Sequence, residues 1–123
     1  MKKRILVIED NEQNLYLIRF LLENAGYEVL EAMESQEGIL MAQTVSPKMI
    51  LLDIQLPGMD GYGVARYLRS LKEMDHIPIV AVTSHAMPGD REKAMKSGCN
   101  GYIEKPIDPD TFLETMEKYF SKE

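Results

Sequence analysis

Hydrophobic residues in this chain form short runs, and each run is followed by a stretch with helical spacing. Near-continuous apolar runs are typical of strands covered on both faces, whereas an alternating segment is typical of an edge strand. The segments that predict strands are Ile5–Ile8, Glu28–Ala32, Met49–Leu52, Ile79–Val82 and Gly101–Glu104, of which Glu28–Ala32 is the more polar and alternating one. The pattern therefore predicts parallel strands that alternate with helices.

Five helices are predicted between and after these strands. They span about 12–25, 35–45, 61–73 and 88–97, and the fifth starts at Asp108-Pro109 with an N-cap and a first-turn proline. Pro88 is expected in the first turn of the fourth helix, and Gly26 and Gly98 are expected to end the first and fourth. The predicted inward faces are Leu15, Ile18, Leu22 and Ala25; Ile39 and Ala42; Val64, Leu68 and Leu71; Ala94 and Met95; and Leu113, Met116 and Phe120. The fourth helix has a thin inward face and should be weakly anchored.

This alternation predicts an α/β fold of the (βα)5 kind, with a doubly wound, parallel five-stranded sheet in a three-layer sandwich. The polar second strand and the short fifth strand suit the two edges, which favours the order 2-1-3-4-5. Residues 1–123 are expected to form a single domain, because the chain is too short for two.

Composition narrows the functional class. The net charge of −6 is spread along the chain, which argues against direct nucleic-acid binding, since phosphate contacts need a concentrated basic face. No apolar run approaches the roughly 20 residues of a membrane span, so a cytoplasmic protein without membrane association is expected. Cys99 is the single cysteine and is expected to be a buried thiol.

Polar residues stand where the strands end. Glu9 and Asp10 follow the first strand, Asp53 the third, Thr83 the fourth and Lys105 the fifth. In open parallel sheets ligands lie outside the carboxyl ends of the strands, so these groups should share one pocket. Each pair of carboxylates at about 4 Å repels by roughly 4 kcal/mol at an effective dielectric of 20. A hard divalent cation, Mg²⁺ before a transition metal, is the expected ligand.

The same pocket suits phosphoryl chemistry. Lys105 and Thr83 offer a point charge and a hydroxyl to phosphoryl oxygens. A carboxylate can itself accept a phosphoryl group as an aspartyl-phosphate. Asp53 is the candidate nucleophile, because it stands alone at a central strand end between the acidic pair and the Thr/Lys pair.

Four motifs in order make the chain resemble a response-regulator receiver domain of two-component signalling, from Ile5 to about Phe120. The motifs are Ile8–Asn11 (IEDN), Leu51–Gly61 (LLDIQLPGMDG), Val80–Met87 (VAVTSHAM) and Gly101–Ile107 (GYIEKPI). The resemblance implies a flavodoxin-like, CheY-like fold and a set of roles. Asp53 would be the phospho-acceptor, and the Mg²⁺ ligands would be Glu9, Asp10, Asp53 and the Gln55 backbone carbonyl. Thr83 and Lys105 would contact the phosphoryl oxygens, and Thr83 and Tyr102 would form the switch. The resemblance also implies a cis bond between Lys105 and Pro106.

The resemblance also implies partners. The phosphoryl donor would be a histidine kinase or a histidine phosphotransfer protein, and the output would pass to a downstream protein through the fourth helix, fifth strand and fifth helix. The protein is expected to be a monomer or weak dimer. It is also expected not to be an enzyme, apart from slow loss of its own phosphoryl group. His85, two residues past Thr83, could orient or impede the hydrolytic water, or be an exposed loop residue.

Other interpretations stay open at the level of sequence. An aspartyl-phosphate hydrolase of the haloacid-dehalogenase kind also has a nucleophilic Asp at a strand end, but it needs a second Asp where this chain has Gln55. A receiver used only for binding, independent of phosphate, is a further alternative. The motifs resemble both stand-alone regulators of the DivK kind and receivers fused to hybrid histidine kinases, so an excised domain is also considered.

Overall fold

The sheet of this protein is the element that places the candidate site, and it agrees with the sequence-based prediction. The computed structural model describes residues 2–84 and 87–120. All strand pairings are parallel, and the order is β2-β1-β3-β4-β5. The strands are β1 Arg4–Ile8, β2 Glu28–Ala32, β3 Met49–Asp53, β4 Ile79–Thr83 and β5 Gly101–Glu104.

In the described residues, five α-helices follow the strands, as predicted. They are α1 Glu12–Asn24, α2 Ser35–Val45, α3 Gly61–Arg69, α4 Asp90–Lys96 and α5 Phe112–Glu117, with a short 3₁₀ helix at Lys72–Met74. Gly26 and Gly98 have φ of 94° and 110°, which is the left-handed conformation expected where helices end. The strands and helices form the predicted three-layer fold.

Three helix boundaries differ from the prediction. Helix α3 ends at Arg69 rather than near residue 73, because the chain turns there into the 3₁₀ helix. Pro88 lies before α4 and not in its first turn, since Gly89 has a φ of 92° and interrupts the helical path. The chain after Asp108 first makes a turn, in which the Asp108 carbonyl accepts from the N–H groups of Thr111 and Phe112. Helix α5 therefore begins later than predicted.

Two hydrophobic clusters cover the two faces of the sheet. One face carries Leu6, Ile8, Ile50 and Leu52 and is covered by α2, α3 and α4, which contribute Ala42, Val64, Leu68 and Ala94. The other carries Ile5, Val7, Met49 and Leu51 and is covered by α1 and α5, which contribute Leu15, Ile18, Leu22, Phe112 and Met116. This alternation follows from the side-chain period of two along a strand.

The predicted inward faces hold with one exception. Ala25 was expected to face inward but is exposed, because α1 ends at Asn24 and Gly26 then redirects the chain. Cys99 is buried as predicted, and this burial raises the pKa of its thiol to about 11. In the part of the chain that the structure describes, no helix has the length and apolar character needed to cross a membrane.

Candidate phosphoryl and metal site

Strand register brings the predicted site residues to one edge of the sheet. Ile8 of β1 pairs with Leu52 of β3, so Glu9 and Asp53 follow neighbouring positions. Asp53 in turn pairs with Val82 of β4, one residue before Thr83. The N–H of Lys105 donates to the Thr83 carbonyl at 2.7 Å. The parallel sheet therefore gathers four strand ends around Asp53.

Glu9, Asp10 and Asp53 form a carboxylate cluster. Each has an oxygen within 4.8 Å of an oxygen of the other two. Glu9 and Asp53 are 1% and 3% exposed, whereas Asp10 faces solvent. A cluster of oxygen donors that is open on one side suits a hard cation that retains water ligands.

Lys105 supplies the positive charge at this site. Its Nζ lies 2.8 Å from Glu9 Oε1 and 3.6 Å from Asp53 Oδ1. Three carboxylates and one ammonium leave the cluster with a formal charge of −2 when all four groups are ionised. Lys105 is therefore insufficient to neutralise the cluster, and a divalent cation would balance it. The bond between Lys105 and Pro106 is cis, as the resemblance implies.

Local structure fixes the position of Asp53 at the end of β3. Its Oδ1 accepts from the Gln55 N–H at 2.9 Å. The N–H of Gly61, the first residue of α3, donates to the Ile54 carbonyl at 2.9 Å. A Cβ at position 61 would lie 2.5 Å from the Asp53 carbonyl oxygen. Only glycine lets α3 start this close to the backbone of Asp53.

The pKa values of two carboxyls in the cluster are raised. Burial is the largest cause for Asp53, and the neighbouring Glu9 carboxylate raises its pKa further, while the Gln55 N–H and Lys105 oppose the shift. For Asp10, desolvation is again the largest cause, followed by the Asp53 carboxyl. Like charges held together in a partly dry site disfavour ionisation. A bound cation would reverse this penalty.

The two residues of the implied switch are both buried. Thr83 is 3% exposed at the end of β4, and Tyr102 of β5 is 7% exposed. The Tyr102 hydroxyl has no hydrogen-bond partner among the described residues, and the Arg91 guanidinium lies 5.9 Å from its ring centroid. Tyr102 is thus a buried side chain in contact with α4.

Two features of the site were missed from the sequence. The Ser84 hydroxyl donates to the Gln55 side-chain oxygen at 2.8 Å and so links the loops after β4 and β3. The Asn11 N–H donates to Glu9 Oε2 at 3.1 Å, while its side chain caps α1 by accepting from Asn14. The capping preference of asparagine before a helix could have indicated the second contact. The expectation for His85 falls outside the described residues.

Comparison with known proteins gives consistent matches over nearly the whole chain. Residues 5–117 match the family model of the response regulator receiver domain. The polar-differentiation response regulator DivK of Brucella ovis is 42% identical over 119 residues, which are 97% of each chain.

Solved structures show the same fold. Vibrio cholerae chemotaxis protein CheY4 superposes with a TM-score of 0.92 at 25% identity, over 98% of this chain and all of the other. The receiver domain of the sensor histidine kinase PA1611 from Pseudomonas aeruginosa has a TM-score of 0.88 at 30% identity, over 97% and 98% of the two chains. That structure has a magnesium ion coordinated in its active-site cleft.

Proposed function

The chain belongs to the response regulator receiver domain family, and from this premise we propose that it accepts a phosphoryl group on Asp53 and relays the signal to a partner protein. The observation that carries the proposal is the position of Asp53. It is a buried carboxylate at a central strand end, clustered with the carboxylates of Glu9 and Asp10 and 3.6 Å from the Lys105 ammonium. The proposed donor is a histidine kinase or a histidine phosphotransfer protein.

The donor set of the pocket fits Mg²⁺. Glu9, Asp10 and Asp53 supply carboxylate oxygens, and the Gln55 carbonyl is the proposed fourth ligand from the protein. Among the described residues, neither a histidine nor Cys99 belongs to this cluster, which favours a hard cation over a transition metal. When bound, Mg²⁺ would neutralise charge on the carboxylates and on the phosphoryl oxygens.

The proposed transfer step takes place at the Asp53 carboxylate. A carboxylate oxygen of Asp53 forms a bond to phosphorus as the phosphorus–nitrogen bond of the donor phosphohistidine breaks, and the imidazole nitrogen keeps the bonding electron pair. The Gln55 N–H orients the carboxylate through Oδ1. Lys105 is the proposed ion-pair partner of a phosphoryl oxygen, since its Nζ lies 3.6 Å from Asp53 Oδ1. Thr83 is the proposed hydroxyl partner of another phosphoryl oxygen.

The proposed output surface consists of α4, β5 and α5. Helix α4 has Ala94 as a buried side chain and Met95 as a half-buried one. Two cations add to its attachment, with Lys93 Nζ 4.5 Å from the Tyr62 ring centroid and Arg91 over Tyr102. Such contacts stabilise by roughly 0.5–1 kcal/mol each at exposed sites. A helix held this weakly can shift when the loop at Thr83 moves toward a phosphoryl group.

Phosphorylation with a small donor tests the proposal. Incubated with Mg²⁺ and acetyl phosphate, the protein should gain a single acid-stable, base-labile phosphoryl group, measured by intact mass. The Asp53→Asn variant should gain none, because the amide is not a nucleophile for phosphorus. Asp75→Asn, at an exposed aspartate outside the cluster, is the matched control and should label like the wild type. Full labelling of Asp53→Asn would refute the assignment.

A further inference from the structure

A second surface of the protein carries more exposed apolar side chains than the proposed output surface. Leu40 of α2 is 65% exposed, Tyr67 of α3 is 45% exposed, and Met59 in the preceding loop is 42% exposed. These three side chains line one cavity of about 270 Å³ between α2 and α3. Within the described residues, α4, β5 and α5 carry no large apolar side chain that is comparably exposed, and Met87, which lies before α4, is 66% exposed.

This cavity continues into a second one toward the amino end of α2. The second cavity, of about 350 Å³, shares Gln36 and Met59 with the first and is bounded by Glu34. Together they form what we call the α2–α3 groove, whose lining residues are Glu34, Ser35, Gln36, Ile39, Leu40, Gln43, Pro57, Gly58, Met59 and Tyr67. The groove thus has an apolar half and an acidic end.

The groove is built on fixed contacts between α2 and the loop before α3. The Ser35 hydroxyl donates to the Met59 carbonyl, and Ser35 is buried. Met59 also lies over the backbone of α3, since a Cβ at Gly63 would meet its Cγ at 2.8 Å. The two walls of the groove are therefore held at a fixed distance. Binding of a partner would then cost little conformational entropy in the groove itself.

We propose that the α2–α3 groove binds an amphipathic helix of a protein partner, with apolar side chains on Leu40, Met59 and Tyr67 and a lysine or arginine facing Glu34. Exposed apolar side chains in a groove between helices fit the spaced anchors of such a helix. The partner helix should carry a positive charge at this end, because the described lining contains Glu34 and no basic side chain. A second copy of this chain fits less well, since each copy has a net charge of −6 and two copies repel.

This site goes beyond the proposed phosphoryl function and is independent of it. None of its lining residues belongs to the carboxylate cluster or to α4, β5 or α5. The Asp53→Asn variant should therefore bind the same partner helix as the wild type. Failure of phosphoryl acceptance would leave the test of the groove intact.

A designed peptide provides the test. The probe is a helical peptide of about 14 residues with leucines on one face and lysines at one end, titrated into the labelled full chain while amide chemical shifts are recorded. We expect shifts concentrated in residues 34–43 and 57–67. Leu40→Gln should weaken binding by about tenfold or more, and Glu34→Gln by about two- to fivefold, an effect that shrinks as salt rises.

Matched controls distinguish binding in the groove from nonspecific hydrophobic binding. Tyr16→Gln removes a side chain on α1 that is 61% exposed, and it should leave the affinity unchanged. A peptide with glutamates in place of the lysines should bind more weakly. The proposal is overturned if the peptide causes no shifts in the groove or if Leu40→Gln binds like the wild type. It is also overturned if sedimentation shows a dimer that Leu40→Gln dissociates, because the occupant is then a second copy.

Discussion

The ammonium of Lys105 lies closer to Glu9 than to the candidate phospho-acceptor, at 2.8 Å from Glu9 Oε1 and 3.6 Å from Asp53 Oδ1. Glu9 is thus the direct ion-pair partner, and Asp53 is the carboxylate with the weaker compensation. The two acids of the buried pair should respond differently to neutralisation. Glu9 holds Lys105 in place, whereas Asp53 adds negative charge to a site already crowded with it.

We therefore expect Asp53→Asn and Glu9→Gln to change metal-free stability in opposite directions. Asp53→Asn should raise the free energy of unfolding by about 1 kcal/mol, because it removes like-charge repulsion and leaves the Lys105–Glu9 pair intact. Glu9→Gln should lower it by about 2 kcal/mol, because it removes the nearer partner of a side chain that is 8% exposed. Urea unfolding near neutral pH with a chelator measures both, and shifts of the same sign would contradict this account.

Added Mg²⁺ should stabilise the wild type by mass action, by about 2.7 kcal/mol when the ion is at about one hundred times its Kd. Asp10→Asn should gain much less, because it removes the solvent-facing carboxylate of the cluster. Thermal melts over a range of Mg²⁺ concentrations measure the effect. Asp75→Asn, outside the cluster, should shift like the wild type. Equal stabilisation of Asp10→Asn and wild type would place the ion elsewhere.

A phosphoryl mimic at Asp53 should change the amide environment of residue 84 and of residues 87–104. The physical reason is the weak attachment of α4, whose fully buried side chain is Ala94. This helix comes after the loop that follows Thr83. Chemical shifts or hydrogen exchange with and without beryllofluoride and Mg²⁺ measure the response. Asp53→Asn is the control and should be silent. Changes confined to residues around Glu9 and Asp53 would rule out this output surface.

Tyr102→Phe should raise the free energy of unfolding by about 1 kcal/mol. The Tyr102 hydroxyl is buried and has no hydrogen-bond partner among the described residues, so its removal relieves a desolvation cost. The ring and its contact with Arg91 are retained. Tyr67→Phe, at a 45% exposed ring, should be close to neutral in the same chemical unfolding experiment. A destabilised Tyr102→Phe would mean that the hydroxyl has a favourable partner.

Arg69→Met should lower the free energy of unfolding by about 2–3 kcal/mol. The half-buried guanidinium of Arg69 donates to the carbonyls of Met74, Ile77 and Gly98 at 2.7–2.9 Å, and loss of the donor leaves these acceptors without it. Arg66→Met is a matched control on the same helix, since Arg66 is exposed and contacts Ser97 at 3.4 Å. Equal effects of the two substitutions would show that the carbonyl contacts contribute little.

Much of the fold and the candidate site follows from local sequence. The strand β2 at Glu28–Ala32 and the strand β5 at Gly101–Glu104 have the predicted bounds, because strand pattern and turn residues act over a few positions. Glu9, Asp10, Asp53, Thr83 and Lys105 could be assigned to one edge for a topological reason. Parallel strands end on the same side of a sheet, so residues after their carboxyl ends converge whatever the details of packing.

The remaining features depended on backbone conformation and on side-chain contacts that the sequence pattern does not specify. Helix α4 begins at Asp90 and not at the predicted residue 88, because Gly89 adopts a left-handed conformation. The preference of proline for the first turn of a helix did not indicate this conformation at the next residue. The shorter distance from Lys105 to Glu9 than to Asp53 is set by side-chain geometry between residues that follow β1 and β5. The groove exists because α2 and α3 lie side by side and bring Leu40 next to Tyr67. Periodicity identifies which residues face inward, but only the packed structure determines which outward residues become neighbours.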